Sequence, residues 1–199
     1  MTKLLAIIIL IILSSCSYIN YAQIIPLVRT AVIGVPDADL QEVDKFDFSF
    51  ARMRMGRGSS SIFTLNKVEN NNTFVWSNSS SEKIYTRYGR VIRTEGLLHN
   101  AYILTNHNNL DLKSINIQSG KISIMLEDPE AYIEQMIYRD KVEDEEFINV
   151  FEKVISNPIR WSHTNQYKFS KNLDMITYTK QHIHPNLPAL EIEFFYKFN

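Results

Sequence analysis

Cysteine is almost absent: Cys16 is the only one in 199 residues. A single thiol forms no disulfide within the chain, so whatever folds here holds by packing alone, even in an oxidising compartment. Glycine and proline are scarce, six of each, and there is neither a repeat of 20–50 residues nor a long low-complexity tract. No charge of one sign prevails, the formal net charge being −1. A basic footprint for nucleic acid is missing, and no nucleic-acid partner is expected. Long apolar runs are missing too. The longest covers residues 4–13, well short of the roughly 20 residues a spanning helix needs.

That short run becomes informative beside its flanks. Lys3 precedes it, and Ser14, Ser15 and Cys16 follow. A charged start, a short apolar stretch and small residues at a cleavage point describe a secretory signal peptide. Leu13-Ser14-Ser15-Cys16 resembles the bacterial lipobox, in which the cysteine sulfur takes a diacylglycerol and becomes the first mature residue. The expected covalent additions are that diacylglycerol and an N-acyl chain on Cys16, with no cofactor. Each buried methylene contributes about 0.8 kcal/mol, and two or more chains anchor stably where one does not. Ser17 rather than Asp follows the cysteine. In lipoproteins of double-membraned bacteria this implies the outer membrane, facing the periplasm. The organisation expected is a signal peptide over 1–15, a lipidated tether over 16–23 and a single β-rich periplasmic domain over 24–199.

Beyond the tether the chain is aromatic, with ten Tyr and eleven Phe, and rich in β-branched residues, a composition that favours strands. Residues 24–35 suit a short helix with Pro26 in its first turn, and Asp37 or Asp39 suits the cap of a brief helical turn. Period-two alternation follows. Phe46, Phe48 and Phe50 give way to Met53 and Met55, a change of phase near Ala51 that suggests a bulge. Strands are expected over 62–68, 73–77, 84–87, 90–94, 102–104, 112–117 and 121–126, with Ser119-Gly120 as a hairpin turn. Residues 131–139 and 147–155 fit strand or helix, with an acidic loop over 143–146 between them. Strands over 166–169, 175–180 and 190–198 complete the series. The fold class expected is all-β: an antiparallel meander curled into an open or incomplete barrel, because a twisted sheet of about ten strands rolls up.

Chemistry-bearing patterns are few. His182 and His184 alternate, but no third ligand stands at a metal-site spacing; an exposed edge or turn accounts for them, and no metal is expected. Glu191 and Glu193 share a face and read as the wet side of an edge strand rather than as the paired carboxylates of a glycosidase. Arg52 and Arg54 lie opposite Met53 and Met55, before Gly56-Arg57-Gly58, which lacks the Gly-Lys-Ser/Thr ending of a phosphate loop. Asn71-Asn72-Thr73 and Asn78-Ser79-Ser80 match a glycosylation sequon but serve here as turn chemistry. No catalytic residues are assigned.

Two segments carry a resemblance. The first is Trp76 with Tyr85-Thr86-Arg87-Tyr88-Gly89-Arg90-Val91-Ile92-Arg93-Thr94-Glu95-Gly96-Leu97; the second is Trp161, Asn165-Gln166-Tyr167 and the stretch from Thr179 to Pro188 that includes Gln181. Together they resemble the YjbF/GfcB lipoprotein family, associated with export of exopolysaccharide and group 4 capsule. Asn172 stands near the place of a family turn glycine and tolerates the left-handed backbone required there. The resemblance implies an all-β meander, resolves 147–155 toward strand and implies no catalytic activity. The function it implies is that of an accessory to capsule or exopolysaccharide secretion, binding polymer or export-machinery proteins. A candidate polymer or partner surface comprises Trp76, Tyr85, Arg90, Arg93, Trp161 and Gln181, though cross-strand packing explains the same aromatics. Rival expectations are a carrier of lipid or another apolar ligand and, third, a polysaccharide-modifying enzyme.

Overall fold

A computed structural model describes residues 46–69, 72–104, 112, 119–157 and 159–197. The expected signal peptide, tether and N-terminal helix lie outside these residues, as does most of the strand expected over 112–117. Among the described residues there are twelve strands: β1 (Phe50–Met55), β2 (Ser60–Glu69), β3 (Thr73–Ser77), β4 (Lys83–Arg87), β5 (Arg90–Glu95), β6 (Ala101–Ile103), β7 (Ser119–Leu126), β8 (Ala131–Glu143), β9 (Phe147–Asn157), β10 (Trp161–Ser170), β11 (Met175–Gln181) and β12 (Leu190–Phe195). Each pairs antiparallel with its neighbours in sequence, and β1 pairs with both β2 and β12, so the meander closes into a barrel.

Closure corrects the expectation of an open barrel. Its seam runs in continuous register from Phe50↔Phe195 to Met55↔Leu190. Inside it, Ala51 and Met53 meet Ile192 and Phe194 in one core cluster; outside it, Arg52 bonds Glu193 at 2.5 Å and Arg54 bonds Glu191 at 2.6 Å. Both faces of the seam are therefore matched. Neither pairing of β1 is interrupted, which removes the bulge expected at Ala51. The phase change arises because the apolar residues change sides. Phe50 stacks on Phe195 at 4.7 Å and against Phe46 at 5.3 Å, apart from the interior cluster that holds Met53.

About eight strands make a barrel just wide enough for side chains to fill, so a round barrel of twelve would be hollow. This one is pinched. Gly89, in the Tyr88–Gly89 turn before β5, approaches β11 so closely that a Cβ there would lie 2.5 Å from Ile176 Cγ2. Gln181 of β11 donates through Nε2 to the Gly89 carbonyl (2.8 Å) and accepts from the Val91 amide (3.0 Å). β5 and β11 are not neighbours in the sheet, so these bonds cross the lumen. They accompany two packed clusters, a larger one centred on Trp76, Ile84, Ile192 and Phe194, and a smaller one of Ile122, Ile124, Leu126, Ile133, Ile137 and Val154.

Other local expectations shift. Ser119 and Gly120 begin β7 rather than turning. Residues 131–139 and 147–155 are strands, resolved by their pairing along the whole β8–β9 ladder. In the β10–β11 turn the left-handed residue is Asp174 (φ 53°), not Asn172. Asn78 does act as turn chemistry, its Oδ1 accepting the amides of Ser80 and Glu82.

Candidate functional site

Alternation on β9 places Glu152 between Val150 and Val154 on the inward face. A carboxylate there is costly unless paired, and three strands supply partners. Arg90 of β5 forms a two-pronged ion pair with it, one prong at 2.7 Å; Arg139 Nε donates at 3.0 Å from β8, and Asn165 Nδ2 at 3.4 Å from β10. Arg90 is 2% exposed and Glu152 fully buried. Burial pushes the Glu152 carboxyl upward, but the charges of Arg90 and Arg139 outweigh it and hold the group at about 2. The Arg90 guanidinium lies 5.3 Å from the centroid of the Tyr167 ring, and the Tyr167 hydroxyl donates to Gln181 Oε1 at 3.3 Å. The result is a charged strut across the lumen, continuous with the β5–β11 bridge.

The candidate surface residues divide accordingly. Trp76, Arg90 and Gln181 are buried and form no open surface; parity on β3 and the Trp76 Nε1–H bond to Thr86 Oγ1 (2.8 Å) point the indole inward. Trp161 is half-buried against the smaller cluster and packs on His163 at 4.3 Å. Tyr85 and Arg93 do come together, with the Arg93 guanidinium 5.2 Å from Tyr85 and 5.8 Å from the exposed ring of Tyr102. The two resembling segments therefore meet mainly inside the barrel. Glu152 and Arg139 were missed, although Val150-Glu152-Val154, a charge in an apolar stripe, was the signal for the first.

The histidines follow β11 into a turn, closed by the Leu187 amide donating to the His184 carbonyl at 3.1 Å, but they do not form an exposed edge. His184 is 1% exposed and stacks on His99 at 4.7 Å; its Nδ1 accepts the Asn186 amide, and His99 Nδ1–H donates to the Asp128 carbonyl. His182 contacts His163 instead, at 5.1 Å. Among the described residues no group of three or more His, Cys, Asp or Glu could hold a metal ion. Burial, with the neighbouring His182, lowers His163 to about 4. An unfolded histidine protonates near 6.5 while native His163 stays neutral, so it contributes a loss of stability as pH falls from 6.5 toward 4, about 2 kcal/mol for a partly exposed ring. Thermal unfolding across that window should show a flatter pH slope in His163→Phe than in the parent; parallel slopes would refute the assignment.

Beside the strut is a cavity of about 30 Å³ touching Arg90, Gln135, Asn165 and Gln181. Ligand pockets are typically about 300–1,000 Å³, so this space admits no sugar or lipid. Larger cavities lie near the two ends of the strands. One, of about 310 Å³, is lined mainly by Met53, Met55, Phe63, Leu97, Leu187 and Leu190. The other, of about 280 Å³, lies among the β4–β5 and β10–β11 turns, the start of β3 and the chain after β12.

Residues 28–195 match the family described as group 4 capsule polysaccharide lipoprotein GfcB, YjbF. No curated protein matches the chain. Among solved structures, the hypothetical lipoprotein YmcC from Escherichia coli K12 superposes with a TM-score of 0.68 at 12% identity, over 88% of this chain and 97% of that one. At that identity the likeness speaks for the barrel alone. Because the family match spans β1 to β12, the chain belongs to the YjbF/GfcB family of group 4 capsule polysaccharide lipoproteins.

Proposed function

We propose that this protein is a lipid-anchored accessory of capsule or exopolysaccharide secretion, held at the periplasmic face of the outer membrane through acyl chains on Cys16, and that it acts by binding polymer or export partners. The observation that carries the reading is the family match over 28–195, joined to Leu13-Ser14-Ser15-Cys16. Binding rather than catalysis is favoured by the state of the carboxylates. Glu152 is enclosed and engaged by Arg90 and Arg139, and Glu191 and Glu193 are each bonded to an arginine on β1. The aliphatic cavity at Met53, Met55 and Leu190 favours a second reading, carriage of an apolar ligand; the packed core beside it leaves little room for a long chain.

Deleting the gene and assaying surface polysaccharide tests the proposal. The expected result is a marked loss, restored by the parent gene but not by Cys16→Ser, whose product lacks the lipid. Unchanged polysaccharide on deletion would sink it.

A further inference from the structure

The cavity at the turn end of β4 and β5 is richer in aromatic side chains than the one at Met53 and Leu190, although Leu112, Met175 and Ile176 also line it. Its walls include Phe74, Tyr88, Phe169 and Tyr196, with the exposed residues Asn72 and Asp174 at the edge. Tyr196 is fixed, its hydroxyl donating to the Ile176 carbonyl at 3.0 Å and its ring edge-on to Phe74 at 6.0 Å. Aromatic rings present flat apolar faces, which suit the C–H faces of a pyranose. An amide and a carboxylate supply the acceptors and donors that neighbouring sugar hydroxyls require. A pocket of about 280 Å³ stands at the small end of the ligand-site range, a size suited to one sugar unit rather than a chain buried along its length.

The backbone adds a second observation. Asn72 (φ 56°), Tyr88 (φ 48°), Gly89 (φ 75°) and Asp174 (φ 53°) all adopt left-handed conformations and all line this cavity. A two-residue hairpin turn with positive φ at both positions favours Asn or Asp followed by Gly. Here the first position is tyrosine, at an energetic cost that asparagine would avoid. Strain retained at a cavity points to a use for the side chain, and the side chain lines the cavity.

We infer that this pocket is a saccharide-binding site, taking a single pyranose unit of the surface polysaccharide between its aromatic walls with Asn72 and Asp174 on its hydroxyls. The inference rests on the binding role proposed above and gives it a place and a ligand class.

The test is calorimetric titration of the full-length, detergent-solubilised lipoprotein with oligosaccharides from partial hydrolysis of the producing cell's own surface polysaccharide, with a medium-chain fatty acid titrated in parallel. The parent protein should bind the oligosaccharide saturably. Tyr88→Asn should weaken binding at least tenfold while leaving the thermal midpoint equal or higher, because asparagine suits the turn; a purely structural tyrosine would move stability the other way. Asp174→Asn, which also tolerates the left-handed backbone, should weaken binding several-fold, and Leu98→Ser, at an exposed residue that lines the other cavity, should leave it unchanged. Absence of saturable binding to the parent, equal affinity in Tyr88→Asn and Asp174→Asn, or displacement of the sugar by the fatty acid would each overturn the site. If deletion of the gene abolishes surface polysaccharide but both variants restore it fully, the site fails and the secretion role stands. If deletion changes nothing, the secretion role fails whatever the pocket binds.

Discussion

Glu152→Gln is expected to destabilise the barrel by about 3–5 kcal/mol, a large fraction of the roughly 5–15 kcal/mol that holds a domain folded. The amide is nearly isosteric, so the loss is electrostatic. It leaves the guanidiniums of Arg90 and Arg139 directed at one group that no longer carries a negative charge, in a place where Arg90 has almost no access to water. Urea unfolding of the purified protein reads the effect directly. Replacing the whole strut by apolar residues of similar size, Arg90→Met with Arg139→Met and Glu152→Leu, should regain most of the loss, since a buried ion network and a well-packed apolar substitute are often of comparable stability. A loss in Glu152→Gln below 1 kcal/mol would mean that the strut is not the closed network described here.

Gly89→Ala is expected to be comparably damaging, for steric reasons. The residue sits at φ 75°, and the added Cβ would meet Ile176 Cγ2 at 2.5 Å and its Cβ at 2.7 Å. A left-handed alanine costs about 1–2 kcal/mol, and forcing a methyl into a filled space adds about 1–3 kcal/mol. Relief requires β5 and β11 to separate, which stretches the Gln181 bonds to Gly89 and Val91. Combined with Ile176→Ala, which alone opens a cavity, the two changes should cost less than their sum, because the new methyl occupies part of the vacated space. Strict additivity would show that Gly89 and Ile176 do not limit the approach of the two strands.

Much of the fold can be read locally in the chain. The strands over 73–77, 84–87, 90–94 and 175–180 follow from β-branched and aromatic alternation, and Tyr88-Gly89 marks its own hairpin; residues 131–139 and 147–155, whose periodicity fits strand or helix, become strands only through their pairing. Closure cannot be read this way: β1 and β12 are joined by contacts such as Arg52 with Glu193, 141 residues apart. Nothing near Arg52 advertises a partner that distant. Phe50 misled for a related reason: it is fully buried, but against Phe195 and Phe46 rather than in the interior cluster that holds Met53. The resembling segments were visible as a pattern, but their chemistry was not. Arg90 and Gln181 are polar residues on half-apolar strands, equally consistent with a wet groove and a buried bridge; only the pinch of a barrel too wide for its side chains turns them inward. The left-handed Tyr88 leaves no local mark beyond the glycine after it, so the aromatic pocket emerges only when three turns are brought to one end.

In the function proposed above the barrel serves polysaccharide secretion by binding, and the buried charges at its centre are structural. The direct measurement is complementation of the deletion strain with the Arg90→Met, Arg139→Met, Glu152→Leu protein, its fold checked by circular dichroism and its surface polysaccharide assayed beside the parent. A folded protein and polysaccharide restored to the parental level are expected. A folded triple variant that fails to restore it would make the buried charges participants in the function rather than structural.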